Sequence, residues 1–94
     1  MARSPKKAKA VPGYILDIPP SSIVVLRDQQ TDVLRVAEFL ARLRAEPEYY
    51  HTPVRVRPIA GGYYQIRDGH HRFLSYLLNG NPLVRCFVDT SRDE

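Results

Sequence analysis

The sequence predicts an α+β fold, a single compact domain in which a small mixed sheet with one hairpin packs against two helices. Three observations predict it. Two segments, 33–43 and 73–78, repeat apolar residues at helical spacing. Val54-Arg55-Val56-Arg57 alternates with period two, and a Gly61-Gly62 turn separates it from Tyr63-Tyr64-Gln65-Ile66-Arg67. Short β-rich runs, Tyr14-Ile15-Leu16-Asp17-Ile18 and Leu83-Val84-Arg85-Cys86-Phe87-Val88, flank these elements on both sides. The predicted order is strand, helix, hairpin, helix, strand. At 94 residues the chain suits one domain, burying roughly 60–65% of its unfolded surface without metal or disulfide staples.

Each element has local signals. Pro19-Pro20 closes the first strand, because proline has no N–H for the ladder. Ser21 to Gln30 reads as a connection containing an apolar stretch, Ile23-Val24-Val25-Leu26, that suits either extended chain or a helical turn. Thr31 is the expected N-cap of the first helix, with Asp32 beside the positive end of its dipole. Val33, Val36, Ala37, Leu40 and Leu43 form its expected core stripe, Arg35, Glu38 and Arg42 lie opposite, and Pro47 ends it. The second helix is expected to run to Asn79, with Phe73, Leu74, Leu77 and Leu78 as its stripe and Gly80 as its C′ residue. Pro82 introduces the last strand.

Charge is unevenly distributed. Residues 1–13 carry Arg3, Lys6, Lys7 and Lys9 and no acid, which accounts for the whole net charge of +4. Residues 14–94 hold ten Arg against ten Asp and Glu. The expected division is thus a basic flexible tail, 1–13, and a folded body, 14–94. The tail is either a solvated terminus or an arm adding salt-sensitive attraction to nucleic-acid phosphates. The single cysteine, Cys86, excludes an internal disulfide framework and a multi-thiolate zinc site. No apolar run approaches the roughly 20 residues of a membrane span, and no apolar signal core follows the basic N-terminus. A reducing, cytoplasmic setting is the expectation.

The chemistry concentrates at Asp68-Gly69-His70-His71-Arg72, where a strand runs through a glycine turn into a helix. Glycine permits a sharp turn and a close ligand approach. The helix start supplies unpaired N–H groups and partial positive charge, which together form an anion site. His70, His71 and Arg72 put cations or donors at that same end, against the helix dipole, a local violation of the kind that marks functional sites. Arg72 can grip a phosphate in bidentate fashion, and either histidine can donate from a ring nitrogen. Asp68 has two readings: a cap for the turn, or a carboxylate that holds magnesium or accepts a proton. Adjacent histidines point about 100° apart on a helix, so no metal centre is expected from His70 and His71.

The run from Tyr64 to Arg72, followed by Phe73-Leu74-Ser75-Tyr76-Leu77-Leu78-Asn79-Gly80 and Pro82 to Val88, resembles the ParB/sulfiredoxin superfamily. Ile18-Pro19-Pro20, the helix near 32–45 and Pro53-Val54-Arg55-Val56 fall in the order that the superfamily shows, so the resemblance spans residues 14–89. Sulfiredoxins carry a catalytic cysteine where this chain has His70, and Cys86 lies on the last strand, which argues against sulfinic-acid repair. Chromosome-partitioning ParB proteins have a Gly-Glu-Arg-Arg type turn here and a separate DNA-reading domain. The wording DGHHR is that of the free serine kinases. The resemblance implies nucleotide binding with ATP or CTP and Mg2+ as cofactors, Gly69, His70, His71 and Arg72 on phosphate, and Asp68 as the catalytic residue. It extends to an ATP-dependent phosphotransferase or nucleotide hydrolase. Those kinases also use a glutamate in the first third of the domain, whereas residues 14–37 offer only Asp17, Asp28 and Asp32. The alternative is a DNA-associated, partition- or nuclease-type module that binds DNA through the basic tail.

Overall fold

A computed structural model of the chain describes residues 11–25, 30–46 and 52–91. Five strands and two helices follow one another as β1 (Gly13–Ile18), β2 (Ile23–Val24), α1 (Val33–Ala45), β3 (Val54–Ile59), β4 (Tyr63–Asp68), α2 (His70–Asn79) and β5 (Val84–Asp89). The sheet order is β1-β5-β3-β4-β2. β1 pairs with β5 and β3 with β4 antiparallel, while β3–β5 and β2–β4 are parallel, so the sheet is mixed as expected.

The alternation predicted for Val54 to Arg57 holds: Val54 and Val56 are fully buried, and Arg55 and Arg57 lie on the other face. Val84, Cys86 and Val88 continue the same buried layer on β5, with Ile18 and Ile66 beside them. β3 runs on through Pro58, past its last residue paired with β5, so the missing N–H of Pro58 costs that ladder nothing. Gly61 and Gly62 both have φ near +80°, the backbone sign that the hairpin turn demands. Ile23 and Val24 resolve the undecided apolar stretch as a two-residue edge strand. Leu26 lies outside the described residues, as do Arg3, Lys6, Lys7 and Lys9 of the tail, Asp28, Pro47 and His51. The sheet begins at Gly13, and the Thr90 N–H donates to the Pro12 carbonyl, so ordered pairing reaches into the 1–13 segment.

Both helices correct the sequence reading. The N-cap of α1 is Asp32, not Thr31: its carboxylate accepts from the N–H groups of Leu34 (3.1 Å) and Arg35 (3.3 Å). Thr31 instead turns its hydroxyl to His70. Of the stripe on α1, Val36 and Leu43 are buried, Leu40 is half-buried, and Ala37 and Val33 are exposed, Val33 at 72%. On α2 the inward residues are His70, Phe73, Ser75 and Tyr76, whereas Leu77 and Leu78 are exposed. The reason is the order of layers. α2 faces the sheet, and α1 packs chiefly on α2. The leucine flank of α2 therefore turns toward α1 and solvent, and only Leu74 of that flank reaches the core. Gly80 has φ +79°, and its N–H and that of Asn81 return to carbonyls of the last turn, the helix end read from the sequence.

Candidate functional site

The strand β4 delivers the chain to the start of α2 through Gly69, whose φ is +100°. A side chain there would stand 3.2 Å from the Val54 Cα and 2.7 Å from Nη2 of Arg72. Gly69 is thus pressed between β3 and the guanidinium of Arg72, which folds back over it. The first backbone bond of the helix runs from the Phe73 N–H to the Gly69 carbonyl at 2.8 Å. No side chain among the described residues caps this end, and the N–H groups at 70–72 have no partner within the helix.

Asp68 is the last residue of β4 and not the N-cap, so the cap reading of this carboxylate fails: the αL backbone of Gly69 occupies that place. The Asp68 side chain is exposed and lines a cleft of about 280 Å³. Residues 66–72 form one wall of this cleft, and Arg35 and Phe39 of α1 form the other. Asp68 is the one carboxylate among the described residues lining it, beside three arginines, Arg35, Arg67 and Arg72. Asp17 lies on β1, 3.7 Å from Arg85, and Asp32 caps α1; neither is among the residues lining this cleft.

The two histidines do different work. His70 is 8% exposed; its Nε2 meets Thr31 Oγ1 at 2.9 Å, and its Nδ1 is buried with no partner among the described residues. Burial, with the neighbouring His71 adding to it, lowers the His70 pKa from 6.5, which keeps the ring neutral at pH 7. Nε2 of His71 accepts the backbone N–H of Asp32 at 2.9 Å. An accepting nitrogen carries no proton, so the remaining donor of His71 is Nδ1–H. The rings meet edge to face, 5.1 Å apart. The His pair therefore ties the start of α1 to the start of α2. Nε of Arg72 is also buried and without a partner among the described residues.

Asp68, Gly69, His70, His71 and Arg72 thus share one cleft. Sequence reasoning missed Arg35 and Phe39. Arg35 belonged to the polar side of α1, and the guanidinium stands over the Phe39 ring at 5.8 Å. The missed signal is a cation in the first turn of a helix, the same violation that singled out residues 70–72. Cys86 is buried outside this cleft, and burial, reinforced by the charge of Asp17, pushes its thiol up to about 12.

No family model matches the sequence, and no curated protein matches it. Solved structures do. Sulfiredoxin from Arabidopsis thaliana superimposes with a TM-score of 0.68 at 24% identity, over 82% of this chain and 85% of that one. The chromosome-partitioning protein ParB from Caulobacter crescentus, complexed with CTP-γ-S, gives 0.67 at 25% identity, covering 86% and 47%. A free serine kinase variant in complex with AMP gives 0.67 at 17% identity, covering 85% and 32%. The chain spans about half of that ParB and a third of that kinase. With the strand order, the glycine turn and these superpositions in agreement, the chain has the ParB/sulfiredoxin-like fold.

Proposed function

We propose that this protein binds a nucleotide through its phosphates in the cleft at the start of α2. The observation that carries the reading is a helix N-terminus with no side-chain cap, flanked by two buried polar atoms, Nδ1 of His70 and Nε of Arg72, that have no partner among the described residues. Leaving such groups unpaired costs about 1–3 kcal/mol each, so a small shift of either side chain toward a bound anion would be favoured. Arg67 and Arg72 supply the charge, and Gly69 lets the anion approach the backbone. His71 contributes Nδ1–H, because its other nitrogen is committed to Asp32. The CTP-γ-S and AMP complexes of two proteins of the same fold support a nucleotide as the ligand.

Asp68 is the proposed catalytic residue. Alone it is too few ligands for a resident metal, but Mg2+ is commonly held by one carboxylate together with substrate phosphates. Bound that way, the ion would neutralise phosphate charge. Asp68 would steady it or accept a proton from an attacking hydroxyl. Either role fits an ATP-dependent phosphotransferase or a nucleotide hydrolase. A thermal-shift series with ATP, CTP and AMP, with and without Mg2+, tests the reading. Saturation at 100 times Kd adds about 2.7 kcal/mol of stability. No shift with any nucleotide at millimolar concentration sinks it.

One observation supports a second reading, a DNA-associated module: the entire net positive charge lies in residues 1–13. Deleting residues 1–10 spares Gly13 and the Pro12 carbonyl that pair with the sheet edge. If the tail is a DNA arm, its loss weakens duplex binding and flattens the salt slope by about 0.9 per lost phosphate contact. An unchanged slope removes this reading.

A further inference from the structure

The two edges of the sheet are built differently: β2 presents two residues at one edge, and β1 presents six at the other. We propose that β1 pairs antiparallel with β1 of a second copy of this chain, about a two-fold axis at Ile15, so that the two sheets become one. The inference is independent of the phosphate site at α2, since β5 and β3 lie between β1 and the strand that leads into that site.

One hydrogen bond fixes which backbone groups face outward. The Thr90 N–H donates to the Pro12 carbonyl, so these two residues form a hydrogen-bonded pair, and such pairs alternate along an antiparallel ladder. In the regular register of β1 with β5, Tyr14, Leu16 and Ile18 therefore turn their N–H and C=O groups to β5. Gly13, Ile15 and Asp17 turn theirs away from it. Among the described residues β5 is the one strand paired with β1, so these outward groups meet no ladder partner. The side chains are sorted as well. Tyr14 and Leu16 share a face with Val88 and Cys86, Ile15 shares the other with Phe87, and the three are 49%, 37% and 53% exposed.

These groups match a second copy in one register. Pairing needs outward residues opposite outward residues. An axis at Ile15 sets Ile15 against its own counterpart and Gly13 against Asp17 of the other copy, so every outward N–H and C=O group on both strands finds a partner. It also lays Tyr14 against Leu16 of the other copy on one face and joins the two Ile15 side chains on the other, apolar against apolar. The two Asp17 carboxylates then stand at opposite ends of the pairing, beside glycine. An axis at Leu16 would oppose Gly13 to Pro19, which has no N–H, and an axis at Tyr14 would set Asp17 against Val11. Open edges are usually blunted by lysines, prolines, bulges or short strands. β2 is guarded by its length. β1 has no lysine, arginine, proline or register shift, and Asp17 is its only charge. The self-matched register selects a second copy over an unrelated extended peptide. The contact is small, so the dimer belongs with the weaker specific interfaces.

Sedimentation equilibrium over a concentration series, beside amide hydrogen exchange, tests the pairing on the full chain. Monomer should pass reversibly to dimer as concentration rises. The N–H groups of Ile15 and Asp17 should gain at least tenfold protection across that range, whereas those of Tyr14 and Leu16, bonded to β5, should be protected throughout. Ile15→Lys sets two like charges on the axis and should weaken association at least tenfold. Ile15→Pro removes an outward N–H without touching the β5 ladder and should do the same, while Ile15→Val should change association less than twofold. Ile15 is exposed, so the Ile15→Lys and Ile15→Val variants should keep the melting temperature of the dilute, monomeric protein within a few degrees. A chain that stays monomeric at millimolar concentration overturns the proposal. So does protection of Ile15 that is independent of concentration, or a dimer that Ile15→Lys leaves intact.

Discussion

Gly69 is held between a backbone atom of β3 and the guanidinium of Arg72, in a left-handed conformation. Gly69→Ala should cost about 1–3 kcal/mol from the backbone alone. It should also dislodge Arg72, so a melting curve and a nucleotide titration should fall together. Arg72→Ala should preserve the melting temperature within a few degrees and weaken nucleotide binding. Losing a charge-assisted bidentate pair costs about 2–3 kcal/mol, roughly a 30- to 150-fold change. Asp68→Asn should act on turnover more than on affinity, since shape is kept and charge removed. The side chain bonds no described group, so its stability should not change. Calorimetry beside a rate assay for the two variants separates these roles. Cys86 should resist alkylation until the protein unfolds, because burial holds its thiol protonated at neutral pH.

At the scale of the element, α1 and α2 show how far periodicity reaches. Asp32→Ala should destabilise the fold by about 1 kcal/mol through loss of the cap, or roughly 4–8 °C for a domain of this size. It should also disturb the segment that presents Arg35. On α2, Tyr76→Ala should cost about 3–5 kcal/mol, as for a large buried aromatic. Leu78→Gln, at 60% exposure, should stay within about 0.5 kcal/mol. Denaturant melts of the pair check the corrected face directly, since the leucine stripe read from the sequence predicts a large cost at Leu78. The stripe misled because both faces of α2 satisfy helical spacing. Phe73 and Tyr76 meet the sheet, while Leu74, Leu77 and Leu78 lie one step round the cylinder. Only the position of α1 decides which set is covered.

For the whole molecule, acid should act in two stages. His70 has a folded pKa below its ordinary 6.5, so the unfolded chain takes up that proton first. Stability should be complete above pH 6.5 and decline as pH falls below it. Asp89 gives the second stage. The Ser91 hydroxyl, Arg55 (Nη2 at 2.6 Å) and the Ser91 N–H hold its carboxyl well below the usual carboxylate range. Its contribution is complete above the ordinary value of 3.8 and is lost as pH falls through the lower folded value. Melting temperature against pH should therefore fall below 6.5 and fall again below about 4. Asp89→Asn should remove the second decline, and His70→Gln the first.

The α+β class, the order of the major elements, the hairpin, and the strand–glycine–helix turn at Asp68 to Arg72 were all legible in the chain before any tertiary contact was known. These depend on local chemistry: period-two alternation at Val54 to Arg57, positive φ at Gly61, Gly62 and Gly69, and the helix stop at Gly80. Which face of each helix is buried, that Asp32 and not Thr31 caps α1, and that Arg35 joins the cleft became visible only in the packed molecule. Those outcomes come with contacts across 39 residues of chain, Asp32 with His71 and Thr31 with His70, the second of which takes the Thr31 hydroxyl away from the cap position. No local pattern encodes them, because a helix face has no inside until another element is laid against it.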